Sequence, residues 1–337
     1  MTLLKPSIRL ATLTLTLLAA FGAGQSRDAT AQSMRLTVTR LDDPAGAGAC
    51  PADCSLRQAL AAVTAGGAVA VPPGRYSIAG QLLIAQDVTI AGAGARATSI
   101  VQTAGGRVIE VAAGTVVISG VTITGGRTSS GGGEPNAGVG GGIWIDAPGS
   151  LTVMDSAIVG NHADQSGGGI DVNGRLTLVR STVAGNGASG GLGIGGGIDS
   201  FGISVTLVNS TIAANTSSRD GGGLFTASPA SLTNVTLAAN TAFAGSGLSV
   251  SGAPPVTLLN TILSANNGVN CGGSIASLGH NLSSDASCGL SDSTDVENAD
   301  ARLGPLQNNG GQTDTLAPGP SSAALDAASL TACPSTD

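Results

Sequence analysis

Two aspartates are the residues best placed for chemistry. Asp171 and Asp199 each directly follow the isoleucine of a Gly-Gly-Gly-Ile run, at Ile170 and Ile198. If the two runs are equivalent units stacked on one another, the carboxylates point the same way and lie roughly 5 Å apart. Such a pair suits a retaining hydrolase, in which one carboxyl is the acid and the other the nucleophile. It also suits calcium held with the help of loop oxygens. Trp144 and Phe225 take the same place in the flanking units, and the plainer reading of the pair is a solvated face.

Other catalytic sets are thinner. A polysaccharide lyase on a sheet scaffold needs an Arg or Lys base beside a site that neutralises carboxylate. The only lysine is Lys5, and Arg175, Arg180 and Arg219 share no repeat position, so they read as solvated surface arginines. His162 follows Asn161, and His280 sits in Gly-His-Asn-Leu; a lone histidine in such a place is most often structural. No serine lies in a G-x-S-x-G elbow. Trp144 and Phe225 could stack on a sugar, but two aromatics make a thin platform, and packing is the simpler account. The glycine runs are poor phosphate loops, since none opens a helix or carries the Lys-Ser/Thr of a P-loop.

The elements that position the aspartates are repeats. From Gly140 to Asn266 one phrase recurs about five times: a glycine run, an apolar residue, a loop, an alternating strand, an Ala/Gly pair and an asparagine. The closing asparagines are Asn161, Asn186, Asn215, Asn240 and Asn266, spaced by 25, 29, 25 and 26 residues. A period of this size marks a solenoid whose repeats bury their apolar face only by stacking. Within one repeat, Val205 and Leu207 share a parity that Ile212 breaks. Side chains alternate faces along a strand, so the switch near Asn209 and Ser210 marks a corner between two short strands. A third strand follows each glycine run. The units are rich in Gly, Val, Ile, Thr and Ser and hold no long run of helical period, which disfavours helical repeats. The pattern predicts an all-β, single-stranded parallel β-helix. Its glycines suit tight corners, and its asparagines tolerate the left-handed region and can stack as an amide ladder.

Residues 1–31 read as a secretory signal, with Lys5 and Arg9, an apolar run from Leu10 to Gly22, and cleavage after Ala31 in Ala-Thr-Ala. The apolar run is short for a membrane span, and the mature chain is expected to lack a transmembrane helix. Residues 32–68 form an N-terminal cap of a strand, a cysteine pair and a short helix. In the cap, Ser55 and Gln58 have capping-box spacing, and Leu56, Leu60 and Val63 form a helical stripe. Residues 69–270 form the coils, and residues 271–337 an irregular tail. The 53 glycines and 10% charged residues could suggest disorder, but 42% apolar residues set in regular strands argue for a packed core. A net charge of −7 disfavours nucleic acid and acidic lipid as partners.

The ordered motifs resemble a family of exported bacterial proteins. They are Cys-Ser-Leu-Arg-Gln-Ala-Leu (Cys54–Leu60), Val-Pro-Pro-Gly-Arg-Tyr (Val71–Tyr76), the glycine-and-asparagine coils, Cys271–Leu282, Leu303–Gly319, Ser321–Ala327 and Cys333–Asp337. The family is that of the CSLREA-domain, choice-of-anchor Q proteins with right-handed parallel β-helix repeats. The coils also look like passenger repeats of polymorphic outer-membrane proteins. The resemblance covers nearly all the mature chain and implies a right-handed, pectin-lyase-like β-helix at or outside the cell surface, usually without an assigned activity. Family members tend to continue after Cys-Pro-Ser-Thr-Asp with Gln-Arg-Gly and an anchor, whereas this sequence stops at Asp337. The expectation is that the anchor is absent or lies downstream.

Five cysteines fit an oxidising compartment. Cys50 and Cys54 could pair beside the cap helix, and Cys271 and Cys288 could close the loop after the last regular coil. Cys333 is left over, as expected if its partner lay beyond Asp337. A zinc site is the weaker use of Cys50 and Cys54, since no second ligand pair stands at finger spacing. Three functions follow. The leading one is a secreted or cell-surface, non-enzymatic adhesion-type protein, monomeric and without cofactor, whose repetitive face binds extracellular polysaccharide or a cell-surface protein. The second is a polysaccharide lyase or glycoside hydrolase using Asp171 and Asp199. The third is a passive glycan- or calcium-binding module.

Overall fold

The structure, a computed structural model, describes residues 34–44, 49–132, 137–252 and 254–329. The expected signal segment, residues 1–31 with cleavage after Ala31, and Cys333 lie outside the described residues. The chain is a parallel β-solenoid. Strands that recur once per coil assemble three long sheets of ten, nine and eight strands, here sheets I, II and III, and a small fourth sheet of four two-residue strands. One coil shows the order. Arg175–Val179 lies in sheet I, Thr182–Ala184 in sheet II and Gly187–Ala188 in the small sheet. A loop and a glycine run then lead into Ile198–Ser200 of sheet III. The next coil re-enters sheet I at Ser204–Val208, in register with Arg175–Val179.

The parity break is a corner. Val205 and Leu207 in one strand and Ile212 in the next all point into the shared core and are fully buried. Each such side chain contributes about 1.5–3 kcal/mol through burial. The corner is made by Asn209 at φ 49°, and its counterparts Asp155, Arg180, Asn234 and Asn260 also have positive φ. Asparagine and aspartate tolerate this region because their short polar side chains bond locally.

The asparagines that close the repeats do form a ladder, but they do not take the left-handed turn. Positive φ falls on the residue before each of them: Gly160, Gly185, Ala214, Ala239 and Ala265. This leaves the side chains of Asn161, Asn186, Asn215 and Asn240 turned inward, where the next Oδ1 accepts from both the backbone N–H and the Nδ2, and Asn266 ends the series by donating its Nδ2 to Asn270 Oδ1. Asn186 Nδ2 donates to Asn215 Oδ1 at 3.0 Å and Asn215 Nδ2 to Asn240 Oδ1 at 3.0 Å. The third glycine of each run packs against this ladder. A Cβ on Gly197 would stand 3.0 Å from the Asn215 amide, so the spacing of glycine to asparagine is one steric requirement.

The cap is the helix Leu56–Ala62. Ser55 and Gln58 close both halves of its capping box, and Leu56, Ala59 and Leu60 face the end of the core. Cys50–Cys54 and Cys271–Cys288 are disulfides. At the far end, rungs of the solenoid continue past Asn270 as Cys271–Gly272, Ala276–Ser277 and Leu282–Ser283. An antiparallel hairpin, Leu303–Gln307 with Thr315–Pro318, then lies back along the outside. Arg96 Nη2 pairs with Asp314 at 2.7 Å, and Thr182 Oγ1 donates to the Asp314 carbonyl at 2.7 Å. Among the described residues no helix is long and apolar enough to cross a membrane.

Candidate functional site

Sheet III places the candidate acids. Seven of its eight strands are three residues long, with the first and third side chains in the core and the middle one on the outer side. Register aligns these middle residues in one row: Leu83, Glu110, Trp144, Asp171, Asp199, Phe225 and Ser249. Asp171 and Asp199 are therefore direct neighbours across one ladder step, with Trp144 and Phe225 on either side, as the repeat alignment predicts.

From Trp144 to Ser249 the row is not a solvated face, whereas Leu83 at its start is exposed. Asp171 is 5% exposed, Asp199 2%, Trp144 6% and Phe225 7%. The glycine runs cause this, because each enters its strand by curling back over the middle residue. Gly167 and Gly195 have φ near +60°, and a Cβ on either would stand 2.6 Å from the Cβ of Asp171 or Asp199. Only glycine allows the loop to close that tightly. Phe225 is further covered by Phe201, with ring centroids 5.6 Å apart.

Two carboxyls closed off from water cannot both hold a charge cheaply. Burial pushes the Asp171 carboxyl up to about 6, against a smaller opposing effect of its hydrogen bond from Ser166 Oγ and the charge of Arg107. Burial, and then the charge of Asp171 beside it, pushes Asp199 well above the usual carboxylate range. Both effects act in one direction, favouring retention of a proton on the pair as a unit. Asp199 Oδ1 and Trp144 Nε1 are buried without a hydrogen-bond partner.

Arg107 completes the row, and sequence reasoning missed it. It precedes the sheet III strand Ile109–Val111 instead of lying at a repeat position, so periodicity gives it no role. Its guanidinium stacks over Trp144, 4.8 Å from the ring centroid, pairs with Glu110 at 3.2 Å and donates to the Val139 carbonyl. The one available signal is an arginine placed just before an acidic residue in an early coil.

The remaining candidates stay apart. Arg175 and Arg219 are exposed, and Arg180 forms a two-pronged ion pair with Asp155. His162 Nε2 lies 2.9 Å from Ser189 Oγ, and His280 Nδ1 lies 2.8 Å from the Ala327 carbonyl. Among the described residues no group of three or more His, Cys, Asp or Glu could hold a metal ion. The acid pair thus supplies two carboxylates and a hydroxyl under a glycine cover.

No family model matches the chain, and no curated protein matches it. Among solved structures, a similarity is found to ORF18 of Geobacillus virus E2, at 15% identity and a TM-score of 0.42. The match covers 67% of this chain and 47% of that protein, so the chain spans under half of its length.

Proposed function

We propose that the chain is an exported, non-enzymatic surface protein: a right-handed β-solenoid of the CSLREA type that presents a repetitive face to an extracellular polysaccharide or cell-surface protein. The observation that carries this reading is the closure of the acid pair. A retaining hydrolase needs both carboxyls open to the same sugar ring, and here glycine loops lie over them at 5% and 2% exposure. A carboxyl sealed in this way serves packing better than turnover. Two disulfides, one at each end of the solenoid, support an oxidising compartment. The continuous ladder and capped core support persistence outside the cell, and the motif series from Cys54 to Tyr76 supports the family.

The test uses residues 32–337 against acidic and neutral polysaccharides, with and without calcium, scoring binding and new chain ends together. Binding without cleavage is expected, unchanged by calcium. New chain ends that vanish in Asp171→Asn or Asp199→Asn would replace this reading with a hydrolase. Calcium-dependent binding or melting would favour the calcium-module reading.

A further inference from the structure

The corner between sheets I and II carries a second row of polar groups, distinct from the buried ladder. One residue per coil supplies it, namely Asp155, Arg180, Asn209, Asn234 and Asn260, all half-buried, with the buried Gly120 at the same place in the coil before. Asn260 Nδ2 donates to Asn234 Oδ1 and Asn234 Nδ2 to Asn209 Oδ1, each at 2.8 Å. This outer amide chain runs toward Asn209, and among the described residues no hydrogen bond occupies Asn209 Nδ2. The hairpin tip, Gly310–Thr313, leans over the same corner. It is held by Arg96, which donates to the Gly311 and Gln312 carbonyls, and by Thr313 Oγ1, which donates to the Arg180 carbonyl. Between corner and tip lies a cleft of about 990 Å³.

We propose that this cleft binds a neutral, hydroxyl-rich oligosaccharide. The proposal rests on the binding-face reading above and gives that face a place and a ligand class. Charge selects for neutrality: the guanidinium of Arg180 is matched by Asp155 through two hydrogen bonds at 2.8 Å. Neither a phosphate nor a uronate finds an unmatched cation there. The lining offers no aromatic ring to an apolar ligand; it offers glycine backbone, a carboxylate, a guanidinium, Asn209 and Gln312. Such groups are matched by hydroxyls, which donate and accept at once. A peptide added as an extra strand is a poorer fit, because the corner N–H groups are already spent along the ladder. Gly120 donates to Met154, Asp155 to Val179, Arg180 to Val208 and Asn209 to Thr233. The volume lies at the upper end of ordinary ligand clefts, enough for several sugar rings. Functional groups repeat along it at roughly 4.8 Å, once per coil.

The experiment is calorimetric titration of residues 32–337 with cellohexaose, laminarihexaose and mannohexaose, and with an oligogalacturonide as the charged control. Two variants read out the cleft. Gln312→Ala removes an exposed side chain. Asn209→Asp keeps the acceptor used by Asn234 and a side chain that tolerates the left-handed turn, as Asp155 does in its own coil, and exchanges the Nδ2 donor for a charged acceptor oxygen that a hydroxyl can only donate to. At least one neutral hexasaccharide should bind, roughly five- to tenfold more weakly in either variant, with melting temperature unchanged. Neutral binding that neither variant weakens would overturn the cleft and leave the binding-face reading standing. Binding of the oligogalacturonide alone would overturn the ligand class and keep that reading. Silence toward all four probes overturns the proposal, and silence toward whole polysaccharides as well removes the glycan-binding reading beneath it.

Discussion

Asp171 and Asp199 face each other across one ladder step of sheet III, and Asp199 keeps a buried Oδ1 with no hydrogen-bond partner. The solenoid therefore encloses an acid pair outside its apolar core, between Trp144 and Phe225. Since both carboxyls hold their protons more tightly when folded than when unfolded, their contribution to stability is full at pH below about 4. It falls as pH rises through about 6 for Asp171 and beyond for Asp199.

The first prediction concerns that slope. Wild-type chain should lose melting temperature between pH 5 and 8, while Asp199→Asn, a neutral isostere of the protonated acid, should flatten the curve. At pH 8 the variant should melt higher by at least ~2 °C. A parallel loss of stability in wild type and variant over this range would show that the pair is ionised without cost.

Gly167→Ala and Gly185→Ala form a matched pair. Both glycines have φ near +60°, but a Cβ on Gly185 meets nothing within 4 Å, whereas one on Gly167 meets the Asp171 Cβ at 2.6 Å. Gly185→Ala should cost about 1–2 kcal/mol. Gly167→Ala adds a steric clash and should cost roughly 2–5 kcal/mol, while exposing Asp171 and weakening the acid-side stabilisation. Equal denaturation midpoints would mean that the loop does not close on the acid row.

Asn215→Ala cuts the inner ladder. It removes the acceptor of Asn186 N–H and Nδ2 and the side-chain donor to the Val183 carbonyl, and leaves Asn240 Oδ1 with the residue 215 N–H alone. Several buried groups left unpaired predict a loss of roughly 3 kcal/mol or more. Hydrogen exchange should rise first in the coils flanking residue 215, because a solenoid's coils depend on their neighbours. Protection unchanged at those coils would argue against a structural ladder.

The two disulfides should differ in weight. Cys271–Cys288 closes a 17-residue separation and Cys50–Cys54 one of only 4. Loop-closure entropy gives about 3 kcal/mol for the first and about 2 kcal/mol for the second. Cys271→Ser with Cys288→Ser should lower the denaturation midpoint more than Cys50→Ser with Cys54→Ser, and the reverse order would put the greater weight on the cap.

By itself the sequence determined the solenoid. The asparagine period, the parity break between Leu207 and Ile212, and the capping box at Ser55 and Gln58 are local patterns, and strand alternation turns them into faces, corners and a cap. It also determined that Asp171 and Asp199 would be neighbours, because equal repeat positions stack in register. Only the tertiary structure decided that they are buried. That outcome depends on how each glycine loop turns back on the strand it precedes, and the same Gly-Gly-Gly pattern would permit an open loop. Arg107 joined them for the same reason: its partners Trp144 and Val139 come from the next coil, and no period marks the position. The hairpin's return is the furthest such effect, joining Arg96 to Asp314 across 218 residues. Local pattern specifies which way a side chain points; what lies over it is set by chain that arrives from elsewhere.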